Sequence, residues 1–179
     1  MTQVGSVYGE ALYTLALEES LSAGILEELS ALEQAFRAGP DFIRLLSTPN
    51  LSVQERCKIL DDSFRGKVQP YVLNFLKILT EKGYMRHFFD CCKAYEESYN
   101  RDNGILPVTA ITAVSLNPVQ AEKLTAKLCQ ITGKQVKLLN RVDPEVLGGV
   151  RLDYDGKQLD DTVSHRLDAV RNLLRGTVL

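Results

Sequence analysis

The spacing of apolar residues changes once along the chain, at Asn103-Gly104, and this change limits the possible folds more than any other feature of the sequence. Before it, apolar residues recur every three or four positions, which is the spacing of one face of an amphipathic helix. After it, the segment from Ile105 to Leu116 is apolar and rich in β-branched residues, as in a strand covered on both faces. We therefore predict an α+β protein, with a six-helix bundle in residues 1–104 and a small βαββα domain in residues 105–179.

Local start and stop signals divide the first 104 residues into helices. Gly39-Pro40 and Gly83 are expected to end helices, because glycine accepts the left-handed conformation of a helix end and proline lacks a backbone donor. Ser52 followed by Glu55 has the spacing of a capping box, so a helix is predicted to begin there. Six helices with short connections are typical of a compact bundle.

The sequence after residue 104 carries both helix signals and strand signals. Asn117-Pro118 predicts the start of a helix, and Gly133 predicts its end. Alternation over residues 150–154 predicts a strand with one solvated face, and Asp155-Gly156 predicts the turn that follows. A last helix is predicted to begin near residues 160–162. Its buried stripe is predicted to consist of Val163, Leu167, Val170 and Leu174.

The residues that could carry chemistry form no recognisable catalytic motif. Gly148-Gly149 precedes a strand and is followed by no Lys-Ser or Lys-Thr pair, so we interpret it as a close backbone approach rather than a phosphate site. The two histidines, His87 and His165, have no partner at a zinc-binding spacing. The four cysteines are interpreted as buried structural thiols. The sequence therefore predicts no catalytic residue, no metal and no cofactor.

Charge and hydropathy exclude two classes of partner. The net charge of −2 argues against a large nucleic-acid surface. No apolar run approaches the roughly 20 residues that span a bilayer, so direct membrane insertion is not expected. No secretory signal is visible near the N-terminus, which favours a reducing compartment.

The last quarter of the chain resembles a known family, the delta subunit of F-type ATP synthases, called the oligomycin-sensitivity-conferring protein in mitochondria. The residues that carry the resemblance there are Val136, Lys137, Leu138, Val142, Asp143, Leu147, Gly148, Gly149, Val150, Asp160, Thr162, Arg166 and Leu167. A weaker resemblance in the helices rests on Tyr8, Ala11, Leu15, Ala16, Leu46, Thr48, Pro49, Lys58, Leu60, Asn74, Phe75, Leu76, Leu79, Glu81 and Gly83. Two positions depart from the family pattern: Tyr84 stands where Arg is usual, and Thr162 where Ser is usual.

This resemblance implies a mechanical function. A delta subunit is a non-catalytic peripheral-stalk (stator) subunit of a proton-translocating F-type ATP synthase. It links the alpha subunits of the catalytic head to the b subunits and resists the torque of the rotor. The implied partners are the N-terminal helix of an alpha subunit and the C-terminal ends of the b subunits. The implied location is peripheral, at the cytoplasmic face of the bacterial cell membrane.

The resemblance also implies two binding surfaces. The alpha helix is expected in an apolar groove between the first and fifth helices. The predicted groove residues are Tyr8, Ala11, Leu12, Leu15, Val72, Phe75, Leu76 and Leu79. The stalk contact is expected on the last helix and the turn before it. Its predicted residues are Leu159, Val163, Arg166, Leu167, Val170 and Arg171. With the fold intact, the substitution Phe75→Asp is expected to abolish binding to the head.

A different class of function remains open at this stage. The predicted order of strands and helices in residues 105–179 is close to a split βαβ arrangement, which occurs in small ligand- and RNA-binding modules. That segment has ten basic and eight acidic residues, and so little excess positive charge argues against RNA binding.

Overall fold

A computed structural model describes residues 2–48 and 51–163 of the chain. The chain divides into two compact units, Met1–Tyr99 and Asn100–Leu179, which we call the helical unit and the sheet unit. The α+β class predicted from the sequence is confirmed, because helices alone form the first unit and a sheet with a helix forms the second.

Six α-helices and one turn of 3₁₀ helix form the helical unit, and α6 ends just past the boundary of that unit. Their bounds are α1 Gln3–Glu18, α2 Ser22–Ala38, α3 Pro40–Ser47, α4 Val53–Phe64, α5 Pro70–Glu81, the 3₁₀ turn Met85–His87 and α6 Phe88–Asp102. The predicted capping box of α4 is present: the Ser52 side chain accepts from the Glu55 backbone N–H, and Glu55 accepts from the Ser52 backbone N–H. Such reciprocal caps satisfy donors that a helix start leaves unpaired.

Aromatic rings fill much of the core of this unit. Phe36 stacks on Phe42 with ring centroids 5.5 Å apart, and its ring edge meets Phe88 at 5.0 Å and Phe64 at 6.0 Å. The guanidinium of Arg37 lies 4.8 Å from the centre of the Phe89 ring. Because large buried rings contribute both apolar area and specific ring geometry, this cluster stabilises the helical unit.

Two glycines bring α1 very close to α6. A Cβ atom at Gly9 would overlap the backbone oxygen of Cys91 and lie 2.7 Å from the Cβ of Ala94. A Cβ at Gly5 would overlap the side chain of Asp90. These glycines are spaced four residues apart on one side of α1, and no sequence motif marks them. It fixes which side of α1 is buried and therefore which side faces solvent.

The sheet unit contains four strands and one α-helix among its described residues. Their bounds are β1 Ile105–Thr112, α7 Pro118–Thr132, β2 Gln135–Val142, a 3₁₀ turn Pro144–Val146, β3 Val150–Tyr154 and β4 Lys157–Asp160. The sheet order is β2-β1-β3-β4, with β1 parallel to β2 and the other neighbours antiparallel. Asn117 caps α7 as predicted, and Gly133 ends it with a φ of 66°.

Two predictions for this unit need correction. β1 ends at Thr112 rather than Leu116, and only one face is buried along most of its length. Residues 113–114 form a bend, in which the Thr112 hydroxyl donates to the Val114 oxygen at 2.7 Å. The backbone N–H of Leu116 then donates to the side-chain oxygen of Asn140 at 2.9 Å. A fourth strand, β4, occupies the segment predicted to be a turn before the last helix. The predicted last helix itself lies almost entirely outside the described residues.

The interpretation of Gly148-Gly149 as a close backbone approach is confirmed. A Cβ at Gly149, whose φ is 86°, would overlap the backbone oxygen of Asp161 and lie 2.9 Å from the Cα of Thr162. The backbone N–H of Val163 donates to the Gly148 oxygen at 3.0 Å. Only glycine fits this contact without strain.

Candidate functional site

The helices α1 and α5 lie side by side in opposite directions, and two contacts define this arrangement. Tyr71, at the start of α5, lies close enough to Glu19, at the end of α1, for the Glu19 carboxylate to raise the pKa of its hydroxyl. At the other end, the ring of Tyr8 meets that of Tyr84 edge to face, with centroids 5.8 Å apart. The largest cause of this rise in the pKa of Tyr71 is desolvation by burial, and the charge of Glu19 is the second.

Burial divides the predicted α1 residues into two groups. Leu12 lies in the core, on the side where Gly5 and Gly9 approach α6. Tyr8 is half-buried and Ala11 is exposed. Leu15 is 38% exposed, so α1 offers an apolar line along its solvent side.

On α5 the predicted residues all lie inside the bundle. Val72, Phe75, Leu76 and Leu79 are each at most 6% exposed. The apolar side chain that α5 presents to solvent is Ile78, which is 44% exposed. Because successive residues of a helix are about 100° apart, Ile78 lies on the same side as Tyr71, seven positions earlier. No spacing in the sequence separates this pair from the core, because Val72 and Leu79 are also seven residues apart and are buried.

We call the side of the helical unit on which α1 and α5 expose these residues the α1/α5 groove. Its lining residues are Val4, Tyr8, Ala11, Leu15, Tyr71 and Ile78. Exposed carboxylates of Glu10, Glu18 and Glu81 stand on the two helices that border it. An apolar strip between two helices with an acidic border suits an amphipathic helix, whose apolar residues recur at the spacing of one face.

The predicted stalk residues are only partly placed. Leu159 lies on β4 rather than in a turn, and its side chain is exposed. Val163 is exposed and is hydrogen-bonded to Gly148 through its backbone. The other four, Arg166, Leu167, Val170 and Arg171, lie outside the described residues.

The polar residues around His87 form a helix-end network rather than a reaction site. The Thr2 hydroxyl donates to Asp90 at 2.6 Å and lies 3.3 Å from the Nδ1 of His87. Hydrogen bonds from Thr2 hold the pKa of Asp90 below its usual range. Thr2 is also the N-cap of α1, so this network holds the start of α1 against α6.

The cysteines behave as structural thiols within the part of the chain that the structure describes. Cys91 and Cys92 are buried in α6, while Cys57 and Cys129 are partly buried. Burial raises the pKa of the Cys91 thiol to about 12 and raises that of Cys92 further. Thiols that stay protonated are poor nucleophiles and poor metal ligands.

Residues 2–48 and 51–163 contain neither a grouped set of metal-binding side chains nor a helix suited to cross a membrane. In these ranges, no three or more His, Cys, Asp or Glu side chains are grouped so that they could hold a metal ion. None of the helices there combines the length and the apolar character that a membrane crossing requires.

Comparisons with known proteins connect this geometry to one family. Residues 4–174 match the family described as ATP synthase delta (OSCP) subunit. The chain is 32% identical over 171 residues to ATP synthase subunit delta of Alkaliphilus oremlandii, covering 96% of this chain and 95% of that one. It is 30% identical over 172 residues to ATP synthase subunit delta of Clostridioides difficile, with the same coverage.

A solved structure shares the fold. A chain of the Toxoplasma gondii mitochondrial ATP synthase hexamer matches with a TM-score of 0.78 at 20% identity, over 97% of this chain and 98% of that one. At 20% identity this match shows that the two chains share a fold and shows nothing about function. The family match and the bacterial relatives together cover nearly the whole chain, and the protein therefore belongs to the ATP synthase delta (OSCP) subunit family.

Proposed function

We propose that this chain ties the alpha subunits of the catalytic head to the b subunits of the peripheral stalk and so keeps the head from turning with the rotor. As a delta subunit it is a peripheral-stalk component of an F-type ATP synthase. The link we propose is non-catalytic and peripheral, at the cytoplasmic face of a bacterial membrane. Family membership favours this role over that of a small ligand- or RNA-binding module.

The observation that carries the proposal is the α1/α5 groove. Leu15 and Ile78 expose apolar area on α1 and α5, outside the buried core of the helical unit. Exposed apolar area in a groove of this kind is typical of a protein interaction site. We assign it to the N-terminal helix of an alpha subunit, which would bury that area.

The buried residues beneath the groove have a supporting role in this proposal. Phe75, Leu76 and Leu79 hold α5 against the core, so the separation between α1 and α5 is set before a partner arrives. A preformed groove binds with less loss of conformational freedom than one that must be assembled. The acidic border favours a partner helix that carries basic residues beside its apolar stripe.

The stalk contact is assigned to the sheet unit. Leu159 and Val163 are exposed apolar side chains near the start of the predicted last helix, which carries Arg166 and Arg171 at its polar edge. We propose that this helix and the β4 segment before it meet the C-terminal ends of the b subunits. Two separate surfaces would then let one chain bind head and stalk at the same time.

Calorimetric titration with a synthetic peptide, the N-terminal helix of the alpha subunit from the same organism, tests the groove. We expect saturable one-to-one binding with a negative heat-capacity change, because apolar area is buried. Leu15→Asp and Ile78→Asp should each weaken binding by at least about tenfold, because each places a charge in the apolar strip. Phe75→Asp is unsuitable here, because it would bury a charge in the core and unfold the bundle.

The matched control is Leu17→Asp. Leu17 is 53% exposed on the same helix, but it lies about 160° around the helix axis from Leu15. Its substitution should leave peptide binding unchanged, and Leu15→Asp should leave binding of the b subunits unchanged. If folded Leu15→Asp protein bound the peptide as tightly as Leu17→Asp protein, the groove assignment would be wrong.

A further inference from the structure

The outer edge of β2 is long and carries no partner strand in the part of the chain that the structure describes. β2 stands at one end of the sheet order β2-β1-β3-β4 and has eight residues, whereas β4, at the other end, has four. Natural proteins commonly keep edge strands short or covered, because unpaired backbone groups form a template for another strand. The length of β2 therefore makes this edge a candidate binding surface.

Two hydrogen bonds show which residues of β2 direct their backbone groups outward. The backbone N–H of Gln135 donates to the Gly104 oxygen, and that of Asp143 donates to the Thr112 oxygen. The odd-numbered residues of β2 therefore direct their backbone N–H and C=O groups toward β1. In a parallel pair, the residues of a strand alternate in the direction of their backbone groups. Leu138 and Asn140 therefore present their N–H and C=O groups to the outer edge.

A cleft of about 470 Å³ lies beside the same two residues. Its lining residues are Ala121, Glu122, Thr125 and Ala126 of α7 with Leu138 and Asn140 of β2. The side chain of Asn140 is held by hydrogen bonds from its amide nitrogen to the oxygens of Ala110 and Thr112, which keeps this wall of the cleft in place. A strand added to β2 would direct every second side chain into this largely apolar cleft.

The opposite face of β2 is positively charged. Lys137 and Arg141 are exposed there, on either side of the exposed Leu139, and Lys134 immediately precedes the strand. Like charges directly opposite each other destabilise a strand pair, so two copies of β2 would repel each other. Acidic residues on an added strand would instead be attracted.

We propose that the β2 edge binds an extended segment of another polypeptide in which apolar residues alternate with acidic ones. The apolar side chains occupy the cleft between α7 and β2, the acidic ones face Arg141 on the opposite side of the sheet, and the backbone pairs with Leu138 and Asn140. This surface is separate from the α1/α5 groove, and its test does not depend on the function proposed for that groove.

The probe is a fluorescein-labelled eight-residue peptide in which valine and glutamate alternate, and binding to the full chain is followed by fluorescence anisotropy. Two further peptides are N-methylated, one at the valine amides and the other at the glutamate amides. In a strand these two sets of amides point in opposite directions, so only one set can bond to β2. We expect one methylated peptide to lose at least about tenfold in affinity and the other to bind like the parent. Equal behaviour of the two, or no binding of the parent, would overturn the proposal.

Protein variants test the cleft and the charge. Ala126→Phe fills the cleft from α7 and should abolish binding of the parent peptide. Ile131→Phe adds a phenyl ring elsewhere on α7, where Ile131 is already 80% exposed, and should have no effect. Arg141→Glu should weaken binding and raise the relative affinity of a peptide with lysine in place of glutamate. The proposal would also be overturned if Ala126→Phe and Ile131→Phe lost the same affinity for the parent peptide. It would be overturned as well if the protein formed concentration-dependent dimers that Ala126→Phe abolishes.

Discussion

The helical unit and the sheet unit are held together in different ways. Buried large side chains from every helix of the first unit join in one cluster, whose centre includes Phe36 and Phe88. In the sheet unit the fully buried cluster comprises far fewer of the described residues, and α7 has no fully buried residue. Backbone pairing and the hydrogen bonds of the Asn140 side chain connect the described segments of this unit.

This difference explains why the two candidate surfaces differ in kind. A unit with a large core can leave apolar side chains such as Leu15 and Ile78 outside it, and a helix recognises such side chains. A unit built around backbone pairing leaves a strand edge, and an extended chain recognises backbone groups. A partner of the α1/α5 groove would thus contact mainly side chains, whereas a partner of the β2 edge would contact mainly backbone groups.

The largest effect expected is from Phe88→Ala, which removes a fully buried ring from the helical unit. We expect a loss of about 3–5 kcal/mol in the free energy of unfolding, because the lost apolar burial adds to the cavity left behind. Urea unfolding followed by far-ultraviolet circular dichroism measures it. The exposed Val7→Ala is the control and should change stability by less than about 0.5 kcal/mol. A loss below about 1 kcal/mol for Phe88→Ala would contradict a core-dominated helical unit.

Asn140→Leu tests whether the sheet unit depends on its polar network. The substitution leaves the backbone N–H of Leu116 and the oxygen of Ala110 without their side-chain partner. We expect a loss of about 2–3 kcal/mol in stability, since unpaired buried polar groups are costly.

Hydrogen exchange gives a local readout of the same change, because the amide of Leu116 should lose protection. Asn74→Leu is the control, since Asn74 is an exposed residue of α5. If Asn140→Leu and Asn74→Leu were equally stable and the amide of Leu116 stayed protected, the hydrogen bonds of Asn140 would not be what stabilises the sheet unit.

The substitution Gly9→Ala tests the close packing of α1 on α6 and should change stability by a smaller amount. Gly9→Ala places a methyl group against the backbone of α6, and we expect a net loss of about 1–2 kcal/mol, because steric strain exceeds the gain in helix propensity. Gly24→Ala is the matched comparison, since a Cβ at Gly24 meets nothing within 4 Å. It should raise stability by up to about 1 kcal/mol. Thermal unfolding of both variants measures the difference, and the same sign for both would disprove the close packing of α1 on α6.

Features that depend on a few neighbouring residues were predictable from the sequence. The capping box at Ser52 and the N-cap at Asn117 were located correctly, because a cap is a contact between residues three positions apart. The turn at Asp155-Gly156, where φ is positive at both residues, was located for the same reason. The family resemblance came from a run of residues with fixed spacing, and the comparisons confirmed it.

The candidate site was predictable only in part. Helical spacing identified an apolar stripe on α5, but it did not show that Phe75 would be buried and Ile78 exposed. That distinction depends on which neighbouring helices cover each side of α5, and those helices come from distant parts of the chain. The same limit hid the approach of Gly9 to α6.

The sequence by itself determined the α+β class, most helix ends and the family, because periodicity, caps and motif spacing are properties of short segments. Only the tertiary structure decided which edge of each apolar stripe faces solvent, that β4 forms, and that β2 lies at a sheet edge beside a cleft. The physical reason is that burial and strand pairing are set by contacts between segments far apart in sequence. Such contacts leave no periodic signal in either segment alone.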